Sequence, residues 1–154
     1  MQKQWFYLLL GGVMLMLGAC STAPQKEVGF EVGEGAEAGE QILPGSSTSK
    51  TVLALLDNAR QAAKDGQLHT AESQLERALR IEPRNAVLWH YMAKLRLHQG
   101  RLAEAAGLAA RSNSMAGKNH QLQADNWRII AHARHQQGDL VGAQQAQDKV
   151  EQLK

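Results

Sequence analysis

Residues 86–119 read AVLWHYMAKLRLHQGRLAEAAGLAARSNSMAGKN, two apolar segments of similar length on either side of Gly100. The same arrangement lies upstream around Gly66, where apolar residues recur at spacings of three and four. Before that glycine they are Val52, Leu55, Leu56 and Ala59, and after it they are Leu68, Ala71, Leu75, Ala78 and Leu79. This spacing predicts amphipathic helices. Because β-branched residues are sparse and no segment alternates, the predicted fold class is all-α.

The paired segments recur as an internal repeat. Gly66 and Gly100 are 34 residues apart, and Gly100 and Gly138 are 38 residues apart. When blocks that begin at residues 52, 86 and 124 are superposed, equivalent positions hold the same residue types. The shared residues are Ala59, Ala93 and Ala131, then Gly66, Gly100 and Gly138, then Leu68, Leu102 and Leu140, and finally Ala71, Ala105 and Ala143. We therefore predict repeats at about residues 52–85, 86–119 and 124–154.

The period and the small residues resemble the tetratricopeptide repeat, a helix–turn–helix unit of about 34 residues. The resemblance covers residues 50–154 and implies three hairpins that stack into a short right-handed solenoid. The alanines fit because the two helices of a repeat cross closely, and glycine accepts the left-handed conformation that ends the first helix. Trp89 and Trp127 stand where the first repeat has Leu55, so we expect both tryptophans in the core.

Three departures from the repeat fall at the end of the second unit. Gly117 stands where the first repeat has Pro83, and Ser112 stands where it has Ala78. Four additional residues, at about 120–123, are expected to lengthen the junction to the third repeat. We therefore expect an altered second interface.

The N-terminal segment has the pattern of a targeting signal. Lys3 precedes an apolar run, residues 5–17, that is too short to cross a hydrocarbon core of about 30 Å. The run is typical of a secretory signal peptide. It ends in Leu17-Gly18-Ala19-Cys20, which resembles the lipobox of bacterial lipoproteins, and Cys20 is the only cysteine of the chain.

The lipobox implies a membrane anchor. Residues 1–19 would be removed, and Cys20 would carry lipid on its thiol and on its new amine, because two or three acyl chains hold a protein stably on a membrane. Ser21 follows, where inner-membrane lipoproteins usually have Asp. For a Gram-negative organism this implies anchoring in the outer membrane, with the chain facing the periplasm.

Residues 20–49 are predicted to form a disordered linker, because they are rich in Gly, Ser, Thr and Glu and lack a hydrophobic period. Their acidic residues are Glu27, Glu31, Glu34, Glu37 and Glu40. Residues 50–154 hold the other 10 of the 15 acidic residues. They also hold 15 of the 17 Lys and Arg residues, since only Lys3 and Lys26 lie before them. A mildly basic periplasmic domain is expected to meet an anionic protein surface or the cell-wall polymer rather than nucleic acid.

In the tetratricopeptide family the first helix of each repeat lines a concave, protein-binding groove. Carried over residue by residue, the resemblance places five residues of each repeat in this groove. The first repeat contributes Leu53, Leu56, Arg60, Ala63 and Lys64, and the second contributes Val87, His90, Lys94, Leu97 and His98. The third contributes Asp125, Arg128, His132, His135 and Gln136. Most of the charged members are basic. We expect this groove to bind an anionic segment of another protein, and a merely solvated helix face is the alternative.

The sequence shows no catalytic constellation. No nucleophile stands beside a base in a recognisable motif, and no glycine-rich loop joins a strand to a helix. His98, His132 and His135 could approach one another as metal ligands, but no metal-site signature accompanies them. We therefore predict a non-enzymatic protein without a metal or other cofactor, apart from the lipid on Cys20.

The architecture of a short lipoprotein with a linker and a compact repeat domain resembles the pseudomonad-type outer-membrane activators of class A penicillin-binding proteins, which are bifunctional peptidoglycan synthases. The resemblance rests on architecture and size. It implies that the repeat domain docks on the synthase and favours its active state. A pilotin-like lipoprotein or another envelope assembly scaffold is the main alternative. A hydrolase or transferase accessory with a metal site at the histidines is a second one.

Overall fold

The computed structural model describes residues 42–154. The predicted signal peptide, the predicted lipidation site Cys20 and most of the predicted linker lie outside these residues. Within them the structure contains six α-helices and no strand, which confirms the predicted fold class. The helices are α1 (Lys50–Lys64), α2 (Leu68–Ile81), α3 (Ala86–His98), α4 (Leu102–Met115), α5 (His120–Gln136) and α6 (Leu140–Glu151). Each helix packs on the next along the chain, and α3 also packs on α5.

The three predicted glycine turns have the expected backbone conformation. Gly66, Gly100 and Gly138 have φ values of 72°, 71° and 81°, in the left-handed region that glycine adopts without steric cost. At the first turn the backbone N–H of Gln67 donates to the carbonyl of Ala62 at 2.8 Å. This bond, five residues back, is the Schellman pattern that satisfies the last carbonyls of a helix. The glycines therefore end α1, α3 and α5.

The small residues of the repeat lie where the helices cross. Ala93 and Ala105, one from each helix of the second hairpin, are both fully buried. Their equivalents in the outer repeats are buried as well, namely Ala59, Ala71, Ala131 and Ala143. One apolar core joins the first two hairpins and a second joins the last two. The predicted repeat register is therefore the one that the structure has.

An ion pair that the repeat pattern does not predict fastens the first two hairpins. Arg96 on α3 is 9% exposed, and its Nη2 lies 2.5 Å from Oε1 of Glu72 on α2. The hydrogen bond from Arg96 lowers the pKa of Glu72 to about 2 despite partial burial, and Gln99 donates a second bond to the same carboxylate. The pair keeps a charged side chain satisfied inside the packing.

The junction between the second and third repeats differs from its prediction. Residues 116–119 separate α4 from α5, and residues 82–85 separate α2 from α3, so the two junctions have equal length. The expected longer junction is therefore wrong. The additional residues form the first turn of α5, which Asn119 caps by accepting from the backbone N–H of Leu122 at 3.0 Å. Leu122 is 1% exposed and belongs to the first core, and this apolar burial draws the added residues into the helix.

The predicted linker ends earlier than residue 49. Ile42 is 8% exposed in the first core, and its carbonyl accepts a hydrogen bond from the Tyr91 hydroxyl at 3.3 Å. Thr48 accepts from Asn85 at 3.2 Å, and the backbone N–H of Ser49 donates to Glu82 at 2.9 Å. Residues 42–49 thus pack on the first two repeats. No helix within residues 42–154 is both long enough and apolar enough to cross a bilayer.

Candidate protein-binding groove

Most of the predicted groove residues are accessible. Leu53 is 36% exposed, and Lys64, Lys94, His98, Arg128 and His135 are also exposed. Arg60, Ala63, Leu97, Asp125 and His132 are half-buried, and Gln136 is exposed. The first helices of the three repeats therefore present polar and basic side chains to solvent, with limited apolar surface between them.

Three predicted groove residues are core residues instead. Leu56, Val87 and His90 are 1%, 5% and 4% exposed, so a partner cannot contact them without disrupting the fold. Leu56 and Val87 belong to the first apolar core, which the added turn of α5 completes through Leu122. For these three positions the groove prediction is wrong, because neighbouring helices in this short solenoid close over them.

The accessible face includes a cluster of two cations around one aromatic ring. The guanidinium carbon of Arg60 on α1 lies 5.6 Å from the centroid of the Tyr91 ring on α3. Nζ of Lys94, also on α3, lies 5.9 Å from the same centroid. Both distances are those of cation–π contacts. Burial raises the pKa of Tyr91, so its hydroxyl stays protonated and donates to Ile42.

Sequence reasoning did not single out Tyr91. The available signal was its spacing from Lys94, because residues three apart share a helix face. A cation and an aromatic side chain at that spacing form a surface that offers both charge and apolar area to a partner.

Local carboxylates balance two of the groove cations. Asp57 lies 3.3 Å from Arg60, and Asp125 pairs with Arg128, each within one turn of a helix. Among the ion pairs of residues 42–154, none includes Lys94. Lys64 is likewise absent from these ion pairs, so the ammonium groups of Lys64 and Lys94 are the groove cations most available to an incoming carboxylate.

A buried polar network lies beneath this face and joins three helices. Nδ1 of His90 on α3 lies 2.9 Å from Oδ1 of Asn126 on α5. The Asn126 amide donates to the Ser112 hydroxyl at 2.7 Å, and that hydroxyl donates to the carbonyl of Ala86 at 2.8 Å. Because an amide oxygen only accepts, His90 must carry its hydrogen on Nδ1. The expected alteration of the second interface is thus a hydrogen-bonded chain through Ser112.

Burial keeps His90 neutral. Burial lowers the pKa of His90 to about 4, although the hydrogen bond to Asn126 favours the protonated ring. His90 therefore positions the groove helices by hydrogen bonding and adds no charge to the groove at neutral pH.

The histidines considered as metal ligands do not form a recognisable site. Within residues 42–154, no group of three or more His, Cys, Asp or Glu side chains is arranged to hold a metal ion. Burial and the neighbouring His135 lower the pKa of His132. His132 is consequently a largely neutral, half-buried member of the groove face.

The two tryptophans predicted for the core are half-buried. Trp127 packs against the second core. Trp89 borders a cleft of about 730 Å³ between α2 and α4, with α3 at its base. Its indole N–H donates to the carbonyl of Pro83 at 2.8 Å, and the guanidinium of Arg111 lies 3.8 Å from the ring centroid. The prediction of a core position is therefore wrong for Trp89, whose environment is a polar-edged cleft.

Comparisons with known proteins agree with the repeat architecture. The tetratricopeptide-repeat sequence model matches residues 62–125. The globular C-terminal domain of P. aeruginosa LpoP is 42% identical, with a TM-score of 0.65, over 67% of this chain and 97% of that one. The N-terminal domain of stress-induced protein-1 from C. elegans is 17% identical, with a TM-score of 0.64, over 71% of this chain and 88% of that one, and shows the fold alone. No curated protein matches the chain in sequence.

The fold is a protein-interaction scaffold, in which stacked helical hairpins present an extended binding surface. The identity with the LpoP domain extends over nearly all of that domain. The chain therefore belongs to the tetratricopeptide-repeat family that includes the C-terminal domain of LpoP.

Proposed function

We propose that this chain is an outer-membrane lipoprotein of the periplasm that binds and activates a class A penicillin-binding protein, a bifunctional peptidoglycan synthase. The observation that carries the proposal is the 42% identity to the LpoP C-terminal domain over 97% of that domain. Two further observations support the proposal. They are the lipobox at Cys20 and the resemblance of the whole architecture to lipoprotein activators of these synthases.

The groove supplies a chemically suitable docking surface. Arg60 and Lys94 flank Tyr91, and Lys94 has no ion-pair partner among residues 42–154. An acidic segment of the synthase would exchange hydration for charge-assisted contacts there, while Leu53 and the Tyr91 ring cover its apolar side chains. Complementary charge speeds association and selects the partner more than it adds affinity.

Activation requires more than binding. The domain must bind the active state of the synthase more tightly than the inactive state, since a ligand with equal affinity for both shifts nothing. A tenfold shift of that equilibrium needs about 1.4 kcal/mol of differential binding, which a few contacts can supply.

The tether limits where docking can occur. Because residues 42–49 pack on the domain, only residues 21–41 remain between Cys20 and the folded part. Fully extended, such a segment spans at most about 75 Å. We therefore place Ile42, where the folded domain begins, within that distance of the outer membrane, and the docking site within reach of the domain held there.

The test compares binding of purified full-length synthase to the full chain and to two charge-matched double variants. In Lys94→Glu with Arg128→Glu, the groove loses positive charge, and we expect affinity to fall at least tenfold. In Lys118→Glu with Lys149→Glu, the same charge change is made at exposed positions outside the groove, and we expect affinity within threefold of the unaltered chain.

Circular dichroism spectra and melting temperatures of both variants should match the unaltered chain. Equal weakening by the two variants would mean that only net charge matters and that the groove is not the site. If periplasmic crosslinking recovers a secretin instead of a penicillin-binding protein, the proposed activation is wrong and the pilotin-like role is supported.

A further inference from the structure

The walls of the cleft between α2 and α4 belong to helices that the groove does not use, and its base is α3, which also carries groove residues. Its base is Met92 of α3, which is 4% exposed, and its apolar walls are Leu79 of α2 and Leu108 of α4. Trp89 and Pro83 close one end, where the indole N–H is already bonded to the Pro83 carbonyl. The cleft thus offers a volume of about 730 Å³ with an apolar base and a fixed aromatic wall.

Gly107 is a residue of this cleft that the fold itself does not require. It lies inside α4 with no positive φ, and a Cβ added there would meet no atom within 4 Å. Glycine in a helix interior is destabilising relative to alanine. Neither packing nor backbone conformation of the isolated domain accounts for it. Close approach of another chain to α4 would account for it, because only glycine leaves the helix backbone uncovered.

The charges at the Trp89 end of the cleft are not balanced. Arg96 pairs with Glu72 and Glu104, and Glu104 also pairs with Arg101. No ion pair of residues 42–154 includes Arg80 or Arg111, which both line the cleft.

Glu76, the other acidic residue of the lining, acts electrostatically on Arg96 and, like Arg80 and Arg111, belongs to no ion pair of residues 42–154. A guanidinium held over an aromatic ring, as Arg111 is over Trp89, keeps the N–H donors in its plane available to a carboxylate.

We infer that this cleft is a second docking surface, which binds an extended protein segment that carries a large apolar side chain next to a carboxylate. The apolar side chain lies over Met92, Leu79 and Leu108, and the segment backbone passes close to Gly107. The carboxylate is held by Arg80 and Arg111. The identity of the partner rests on the proposed function, so the same synthase supplies the segment.

The experiment fills the cleft without changing the core. Gly107→Trp places a large side chain in the open space over α4, and Gly107→Ala is the matched control that removes the glycine but leaves the cleft open. Both full-length variants should melt at or above the temperature of the unaltered chain. Measured with purified full-length synthase, Gly107→Trp should bind at least tenfold more weakly, and Gly107→Ala within twofold.

A second pair of variants tests the charge. Arg80→Glu with Arg111→Glu should weaken binding at least tenfold, whereas Arg80→Lys with Arg111→Lys, which keeps both charges, should weaken it less. If the glutamate variant loses sedimentation with purified peptidoglycan sacculi but keeps its affinity for the synthase, the occupant is the cell-wall polymer and the inference is wrong.

The failures of the two proposals are distinguishable. Unchanged binding by Gly107→Trp, with the groove double variant Lys94→Glu and Arg128→Glu still impaired, would overturn the cleft inference and leave the proposed function standing. Failure of the unaltered chain to bind the synthase would overturn both.

Discussion

Acidification should destabilise the domain through one buried side chain, His90. Its ring is 4% exposed and donates from Nδ1 to Asn126, so it is neutral in the folded state. In the unfolded chain an imidazole takes up a proton as the pH falls below about 6.5. The folded state binds that proton only near pH 4, because burial lowers the pKa of His90 to about 4.

The size of the effect follows from the difference between these two pKa values. Between pH 6.5 and 4 the unfolded state binds more protons at this site, and the free energy of unfolding therefore decreases as the pH falls. A lowering from 6.5 to about 4 corresponds to about 3 kcal/mol at the acid end of the window. Above pH 6.5 the group is neutral in both states and contributes no pH dependence.

The assay is urea unfolding at a series of pH values for the unaltered chain and for His90→Asn. Asparagine keeps an N–H donor for Asn126 but cannot titrate. The unaltered chain should lose about 3 kcal/mol more than His90→Asn between pH 6.5 and 4. Parallel pH profiles for the two chains would refute the buried neutral imidazole, as would an NMR titration that places the pKa of His90 near 6.5.

Three further predictions test the packing, the ion pair and the anchor. Ala93→Leu should overpack the helix crossing in the second hairpin and lower the free energy of unfolding by about 1–3 kcal/mol. The control Ala103→Leu, at an exposed position, should leave the melting temperature nearly unchanged. Equal melting curves for the two variants would contradict the repeat register. Glu72→Gln should cost about 1–3 kcal/mol at pH 7, because it removes the closer of the two carboxylates that pair with Arg96. Because the pKa of Glu72 is lowered to about 2, that difference should shrink as the pH falls from 4.5 to 2, and a constant difference would exclude the ion pair as its cause. Cys20→Ser should move the protein from the outer-membrane fraction to the soluble fraction, and retention in the membrane would rule out lipid anchoring at Cys20.

The sequence predicted the helices because their determinants are local. Gly66, Gly100 and Gly138 mark the turns, and the recurring alanines mark the crossings, so each helix could be located without knowing its neighbours. The boundary of the folded part could not be located in this way. Ile42 belongs to the core only because Tyr91 and the first two repeats surround it, and nothing in its own neighbourhood in the sequence indicates that packing.

The groove prediction was partial for a related reason. A repeat position fixes the direction in which a side chain leaves its helix, but the neighbouring helices decide whether that direction is open. His90 is covered because Asn126 of α5 reaches it, and the first turn of α5 adds Leu122 to the core beside Val87. Trp89 shows the converse, since its large side chain was expected inside and instead borders the cleft between α2 and α4.

The most direct test of the proposed function measures the synthase, not the domain. Purified class A penicillin-binding protein from the same bacterium would polymerise lipid-linked precursor with and without a saturating amount of the full chain. We predict faster glycan polymerisation in the presence of the unaltered chain and no acceleration with Lys94→Glu combined with Arg128→Glu. An unchanged rate with the unaltered chain demonstrably bound would contradict activation.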